Sequence, residues 1–202
     1  MRFVLASQSF QRKKILEKMG LSFEVIPAHI DEHHAGFSRP HAIVKSIAFR
    51  KAEALSQKYP DCWIIAADTI VILPDGTIAL KPKNKAEAKK VIQTYRNNHC
   101  DVYSGLALVN QKKNVHLKGC EKSTIWFGDF SDEQIDDYLR VGEWRRSSGS
   151  LTIEEVGDWV KRIEGDYATI LGLPVNLLKR FLFESEVISP RFQCLAFKQS
   201  NH

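Results

Sequence analysis

A single carboxylate interrupts the most apolar segment of the chain. Residues Trp63 to Leu73 are apolar except for Asp68 and the adjacent Thr69, and an apolar run of this length is typical of a buried strand. A buried carboxylate is costly unless a cation, a metal ion or hydrogen-bond donors surround it. Asp68 is therefore either a structural carboxylate bonded to backbone N–H groups or part of a functional site, and the pattern alone leaves both open.

Length and composition predict one compact α/β unit around this strand. The chain has 202 residues, of which 44% are hydrophobic and 26% charged, enough for one core or for two small lobes that share a cleft. No change in composition marks a linker. We expect a single domain of two lobes over residues 1–184, with a mixed twisted sheet and flanking helices, and we assign no structure to the tail at 185–202.

Cysteine spacing and hydropathy indicate a reduced, cytosolic environment. The four cysteines, Cys62, Cys100, Cys120 and Cys194, form no CxxC pair and are interpreted as small buried thiols. The first apolar run, Phe3 to Ala6, is too short for a secretory signal, and no segment is long enough to span a bilayer. We therefore expect a cytoplasmic protein with no membrane association.

The net charge favours anionic partners. The chain carries 29 Lys and Arg against 24 Asp and Glu, a net charge of +5, and a positive field attracts polyanions. Nucleotides and nucleic acids both meet this condition. The charge therefore limits the sign of the partner and leaves its identity open.

Local patterns predict strands and helices in mixed order. The predicted strands are Arg2–Ala6, Phe23–Ile26, Trp63–Leu73, Thr77–Leu80, Val102–Val109, Val115–Phe127 and Trp159–Ile163. One predicted helix begins after Ser9 and ends at Gly20, and a second contains Val44 to Leu55. The other predicted helices are Asn84–Tyr95, Ser131–Leu139 and Val175–Phe183.

Several residues suit the binding of phosphate. Ser7 to Lys14 combines hydroxyls and three cations at a strand-to-helix junction, where free N–H groups and the helix dipole attract anions. A serine-capped helix with a solvated basic face would give the same pattern. Lys51 and Lys81 are further candidates because lysine provides a mobile charge for phosphate oxygens. Each of them, taken singly, also fits an ordinary surface lysine.

Nine ordered segments form one pattern along the chain, from Leu5 to about Leu182. They are LASQSFQR (Leu5 to Arg12), DE (Asp31, Glu32), KA (Lys51, Ala52), ADTIV (Ala67 to Val71), KP (Lys81, Pro82), YSGLAL (Tyr103 to Leu108), STIWF (Ser123 to Phe127), SDEQIDDYL (Ser131 to Leu139) and RIEGDYATILGLPVNLL (Arg162 to Leu178). No single segment is very specific, but in their order and spacing they resemble the Maf family of nucleotide pyrophosphatases.

The resemblance implies a Maf/ITPase-like fold with a central cleft, usually in a dimer. It implies hydrolysis of a nucleoside triphosphate to a monophosphate and pyrophosphate. A divalent cation, Mg²⁺ or Mn²⁺, would be held by Glu32 and Asp68, with Asp68 helping to activate water. The phosphate-handling cations would be Arg12, Lys51 and Lys81, and Ser9 matches the motif serine.

Departures from the family motifs concern the substrate. Phe10 stands where the family motif has a proline, and Gln11 stands where the motif has its first arginine. Cys100 stands where the family usually has a histidine. The positions associated with base selection fall on Gln11, Thr69 and Glu154. Thr69 resembles the subgroup acting on dTTP and UTP, Glu154 resembles the subgroup acting on 7-methyl-GTP, and Gln11 fits neither. Because a carboxylate repels the carbonyls of uracil, Glu154 slightly favours a purine or modified base.

Two other functions fit the same residues. The positive charge permits a nucleic-acid-binding or division-regulating protein, although cations and acids alternate along most helices and the sequence shows no aromatic and basic platform of the kind that stacks the exposed bases of nucleic acid. The altered motif positions also permit an inactive scaffold. The retained set argues for catalysis: Ser9, Arg12, Glu32, Lys51, Asp68 and Lys81.

Overall fold

The computed structural model of the protein describes residues 1–32, 39–141, 144–145, 147 and 149–187. The strands are β1 (Phe3–Leu5), β2 (Phe23–Val25), β3 (Trp63–Ile72), β4 (His99–Asn110), β5 (Val115–Phe127) and β6 (Val160–Glu164). The helices are α1 (Phe10–Lys18), α2 (Pro40–Ser56), α3 (Lys85–Tyr95), α4 (Asp132–Val141), α5 (Tyr167–Ile170) and α6 (Val175–Glu184), and a 3₁₀ turn covers Gly157–Trp159.

The six strands form one mixed sheet in the order β2-β1-β3-β4-β5-β6. β1 is parallel to both β2 and β3, whereas β3 to β6 run antiparallel to one another. The expected mixed α/β architecture is therefore confirmed. The division of residues 1–184 into two lobes stays a prediction.

Side chains alternate across the sheet, and each face buries its own apolar clusters. In β4, Ala107 and Val109 pack under α2, whereas Leu106 and Leu108 face α1 and α6 on the other side. Farther along that second face, Cys100 and Val102 belong to a separate cluster that includes residues of α3 and α4. Two apolar clusters therefore lie on one face of the sheet, and Ser104 of β4 lies between them in the strand.

Most helix boundaries follow the predicted signals. α1 ends before Gly20, whose φ of 73° suits glycine. At the start of α4, Ser131 and Gln134 exchange two hydrogen bonds of 2.8 and 3.1 Å between backbone N–H groups and side-chain oxygens, which is the expected capping box. Asn84 caps α3 by accepting from the N–H of Glu87.

Other boundaries differ from the prediction. β4 begins at His99, not Val102, because His99 still pairs with Trp126 of β5. The predicted strand Thr77–Leu80 is only an isolated bridge between Ile72 and Ile78. The strand expected from Trp159 begins at Val160, since Trp159 ends the 3₁₀ turn.

The loop predicted after residue 140 and the C-terminal tail are only partly described. α4 continues through Val141, and residues 142–143, 146 and 148 lie outside the described residues. In the tail, 185–187 form a turn after α6, whereas 188–202, which include Cys194, are not described. No helix in the described part of the chain has the length and apolarity needed to cross a membrane.

Candidate active site

A cavity of about 1210 Å³ opens where β1 ends beside β3. β1 pairs with β3 only as far as Leu5 and Ile65, and the chain then turns away into α1. This leaves one edge of β3 without a neighbouring strand from Ala67 onward, apart from the bridge at Ile72. All nine predicted site residues line the cavity: Ser9, Gln11, Arg12, Glu32, Lys51, Asp68, Thr69, Lys81 and Glu154.

Lys51 joins the two predicted carboxylates at the charged end of this cavity. Its Nζ lies 2.9 Å from Asp68 Oδ1 and 2.9 Å from Glu32 Oε1. The side chains of Lys51 and Asp68 are each 10% exposed, whereas that of Glu32 is 59% exposed. Asp68 is thus paired with a buried cation, which offsets the cost of placing a carboxylate in apolar surroundings.

A glycine in the sheet lets α2 bring Lys51 to this position. Gly105 lies opposite Asp68 in the pairing of β3 with β4. A Cβ atom on Gly105 would lie 2.2 Å from the carbonyl oxygen of Val44 in α2. Because Val44 and Lys51 are seven residues apart, they lie on the same side of the helix. The close approach at Gly105 therefore sets how far Lys51 can reach.

Arg12 is held inside the fold by hydrogen bonds to four acceptors. Its Nε donates to the carbonyl of Gly172 at 2.9 Å, its Nη1 to the carbonyl of Ala67 at 2.9 Å and to Ser7 Oγ at 3.0 Å, and its Nη2 to Thr69 Oγ1 at 3.1 Å. Only one of its five N–H groups is left for another ligand. Arg12 therefore ties α1 to β3 and to the turn before α6.

Burial lowers the pKa of Arg12, and the negative charges of Asp68 and Glu32 oppose that effect. The guanidinium remains charged because its ordinary pKa is so high. Arg12 consequently contributes a fixed positive charge within electrostatic reach of both carboxylates.

Thr69 continues the network on the face of the sheet opposite Asp68. Its Oγ1 lies 2.8 Å from Ser104 Oγ, and Ser104 donates to the carbonyl of Thr169 at 2.8 Å. Because the hydroxyl hydrogen of Ser104 is engaged in that bond, Thr69 is the donor to Ser104. Sequence analysis singled out Thr69 but missed the roles of Ser7, Ser104, Thr169 and Gly172.

The other two base-selection candidates are in direct contact. Gln11 Nε2 donates to Glu154 Oε2 at 2.5 Å, although 143 residues separate them. Gln11 projects from the first turn of α1, and Glu154 follows the segment that Tyr95 anchors through a bond to the carbonyl of Gly149. The pair thus presents a carboxylate and an amide side by side at the cavity wall.

Ser9 and Lys81 occupy different kinds of position. Ser9 caps α1, with its Oγ accepting from the N–H of Arg12 at 3.4 Å, so the serine cap is confirmed, whereas Arg12 does not belong to a solvated basic face. Lys81 is exposed and makes no ion pair with any residue that the structure describes. Its ammonium group is therefore available to a ligand in the cavity.

The two carboxylates, Glu32 and Asp68, offer oxygen donors to a hard divalent cation but do not form a complete protein site. Glu32 and Asp68 each lie within 2.9 Å of one atom, Lys51 Nζ, so their oxygens are close enough to share a ligand. Over the described ranges no group of three or more His, Cys, Asp and Glu residues could hold a metal ion. Mg²⁺ is commonly bound by one or two carboxylates together with substrate phosphates, and this donor set matches that pattern.

Comparison with known proteins identifies the family. The family described as Maf-like protein matches residues 2–185. The chain is 35% identical to a dTTP/UTP pyrophosphatase of Geobacillus sp. (strain WCH70), over 87% of this chain and 93% of the relative. It is 36% identical to a dTTP/UTP pyrophosphatase of Bacillus anthracis (strain CDC 684 / NRRL 3495), over 90% and 94%.

Two solved structures share the fold at low sequence identity. The Ham1 protein of Staphylococcus aureus gives a TM-score of 0.51 at 15% identity, over 91% of this chain and 99% of that one. A HAM1 protein of Coxiella burnetii gives a TM-score of 0.50 at 16% identity, over 92% and 99%. The match along the whole domain, together with the site geometry, establishes that the chain belongs to the family of Maf-like proteins.

Proposed function

We propose that the protein is a nucleoside triphosphate pyrophosphatase that releases a nucleoside monophosphate and pyrophosphate. The observation that carries the proposal is the convergence of Lys51, Asp68 and Glu32 at one end of a cavity that Arg12 and Lys81 also line. Hydrolysis of a polyphosphate needs cations around the anion and a carboxylate near the attacking water. Both relatives are named as pyrophosphatases, which are enzymes of this kind.

The charged end of the cavity is where we place the triphosphate. Lys81 is free to contact phosphate oxygens, and Lys51 already lies between two carboxylates. Arg12 contributes mainly by orienting α1 and Thr69, with one N–H group to spare. Positive charge at these points offsets the charge that develops on the phosphoryl oxygens in the transition state.

Asp68 is the group that we assign to proton transfer. Water attacks the α-phosphorus, the bond from that phosphorus to the bridging oxygen breaks, and pyrophosphate leaves, while Asp68 accepts the proton of the water. Glu32 and Asp68 would hold the Mg²⁺ or Mn²⁺ ion that the family resemblance implies. That ion, when bound, would neutralise phosphate charge and lower the pKa of a coordinated water.

We take dTTP and UTP as the first candidate substrates. The relatives are named for these nucleotides, and the contact between Gln11 and Glu154 is compatible with the choice. Glu154 can accept from the N3–H of uracil or thymine while the second amide hydrogen of Gln11 donates to the neighbouring carbonyl. The repulsion that favoured a purine in the sequence argument is thereby relieved. Guanine offers the same N–H and carbonyl pair, so 7-methyl-GTP is the competing candidate.

A nucleotide panel tests the proposal. The full chain is assayed with dTTP, UTP, CTP, GTP, 7-methyl-GTP and ATP in the presence of Mg²⁺, Mn²⁺ or EDTA, and pyrophosphate and orthophosphate are measured separately. We expect pyrophosphate from dTTP and UTP, and none with EDTA. Orthophosphate as the first product would contradict the proposal, and so would turnover of no nucleotide together with salt-sensitive binding of nucleic acid, which indicates a binding protein.

A homodimer and a cytoplasmic location remain predictions from the sequence. Light scattering after size-exclusion chromatography measures the oligomeric state directly.

A further inference from the structure

One large aromatic side chain lies exposed in the cavity. In the described part of the chain, seven large hydrophobic side chains are exposed, and among them only Phe10 lines the cavity. Phe10 is 64% exposed and belongs to none of the described hydrophobic clusters. Its ring therefore contributes little to the core and is available to a ligand.

The position of the Phe10 backbone is fixed on both sides. Ser9 caps the helix directly before it, and Arg12 is tied to Ala67 and Gly172 two residues after it. The ammonium of Lys14 lies 4.5 Å from the centre of the ring, within the range of a cation–π contact. The ring is thus presented at a defined place on the cavity wall.

Phe10 immediately precedes the residue that contacts Glu154. Phe10 and Gln11 are consecutive residues of α1 and both line the cavity, so a nucleoside bound there can contact both side chains. An aromatic plane next to a hydrogen-bonding pair matches the two surfaces of a base, because its faces stack and its edge forms hydrogen bonds. Stacking on an aromatic side chain tolerates any base, since every base has a π face.

We propose that Phe10 is the platform on which the nucleobase stacks, and that it supplies affinity for nucleosides irrespective of the base. This inference rests on the proposed function. It separates two contributions to binding, in that Phe10 holds the base by its face and Gln11 with Glu154 select it by its edge.

The test compares Phe10→Ala with Phe10→Tyr, which keeps the ring, and with Phe183→Ala. Phe183 is also exposed, at 45%, but does not line the cavity. KM and kcat for pyrophosphate release are measured with UTP, dTTP and CTP. The inhibition constant of inorganic tripolyphosphate, which has no base, is measured alongside. Loss of base stacking corresponds to roughly five- to 150-fold weaker binding.

We expect Phe10→Ala to raise KM about tenfold or more for all three nucleotides, without changing the ratio of UTP to CTP turnover or the inhibition by tripolyphosphate. Phe10→Tyr and Phe183→Ala should match the wild type. Unchanged KM in an active Phe10→Ala enzyme would overturn the stacking role and leave the proposed function intact. Equal weakening of tripolyphosphate binding would overturn it too, because the ring would then be acting on the phosphate end. A wild-type protein that releases no pyrophosphate would overturn the proposed function itself.

Discussion

Lys51 Nζ and Asp68 Oδ1 lie 2.9 Å apart, and both side chains are nearly buried. The pair connects α2 to β3 at the point where β3 has lost its neighbour β1. Removing one member of a buried ion pair leaves the other charge without compensation, which is usually far more costly than losing a surface pair.

Replacement of Lys51 should therefore cost both stability and activity. We expect Lys51→Met to lower the free energy of unfolding by about 3 kcal/mol and to abolish pyrophosphate release. Urea denaturation followed by fluorescence measures the first effect. Lys81→Met is the matched control, since Lys81 is exposed, and it should lose activity at unchanged stability. Equal stability of the two variants would refute the structural role of the Lys51–Asp68 pair.

Gly105→Ala should impair catalysis by displacing α2, the helix that carries Lys51. The added Cβ would lie 2.2 Å from the carbonyl oxygen of Val44, so α2 has to move away from the sheet and carry Lys51 with it. A displacement near 1 Å in a catalytic group can lower the rate about a hundredfold, and kcat/KM for UTP should fall by that order. Gly157→Ala is the control, because no atom lies within 4 Å of its Cβ position. Full activity in Gly105→Ala would mean that the spacing of α2 is unimportant.

Arg12→Lys should weaken the framework of the cleft although the charge is retained. Lysine cannot reproduce the planar arrangement that serves Gly172, Ala67, Ser7 and Thr69. Loss of buried hydrogen bonds predicts a decrease of about 1 to 3 kcal/mol in the free energy of unfolding. Thermal denaturation of Arg12→Lys beside Lys13→Arg, a change on the exposed side of the same helix, checks this. Identical melting temperatures would show that the four bonds add nothing.

The Gln11–Glu154 pair should control the choice of base and not the chemistry. We expect Gln11→Leu and Glu154→Ala to lower kcat/KM for UTP roughly tenfold while CTP, which lacks the N3–H group, changes less. Asp158→Ala, an exposed carboxylate outside the cavity, serves as the control. A uniform decrease for all nucleotides would argue against edge recognition.

The thiols of Cys100, which is buried, and Cys120, which is half-buried, should be unreactive in the native protein. Burial raises the pKa of Cys100 to about 12 and that of Cys120 to about 11, so both are protonated at pH 8 and lack the nucleophilic thiolate. The raised pKa values imply stability that is complete below the ordinary thiol pKa near 9 and is lost as the pH rises above it. Mass spectrometry after iodoacetamide treatment at pH 8 should find neither residue modified until urea is added. Rapid native labelling would contradict the raised pKa values.

The sequence identified those site residues whose chemical type is unusual or informative among their neighbours in the chain. Asp68 stood out because a charge inside an apolar run needs compensation, and Ser9 because a polar residue precedes a helix. Gly105 and Gly172 could not be recognised from the local pattern alone, since each matters through an element distant in the chain, α2 in one case and Arg12 in the other. The bond between Gln11 and Glu154 likewise depends on tertiary packing across 143 positions, for which no local pattern exists.

The boundaries that differed also depend on neighbouring strands. Thr77 to Leu80 has the composition of a strand, yet only Ile78 pairs with β3. β4 starts earlier than its apolar pattern because pairing with β5 extends to His99. Pairing partners, and not side-chain composition, set both limits.

The most direct test of the proposed reaction is pyrophosphate release from UTP and dTTP by the wild type and by Asp68→Asn, at matched protein concentration and with folding verified by circular dichroism. We expect the wild type to form pyrophosphate and monophosphate in equal amounts and the folded variant to lose at least a hundredfold in kcat, in line with the loss of a general base. Equal rates for the two folded proteins would contradict the assignment of Asp68 as the general base.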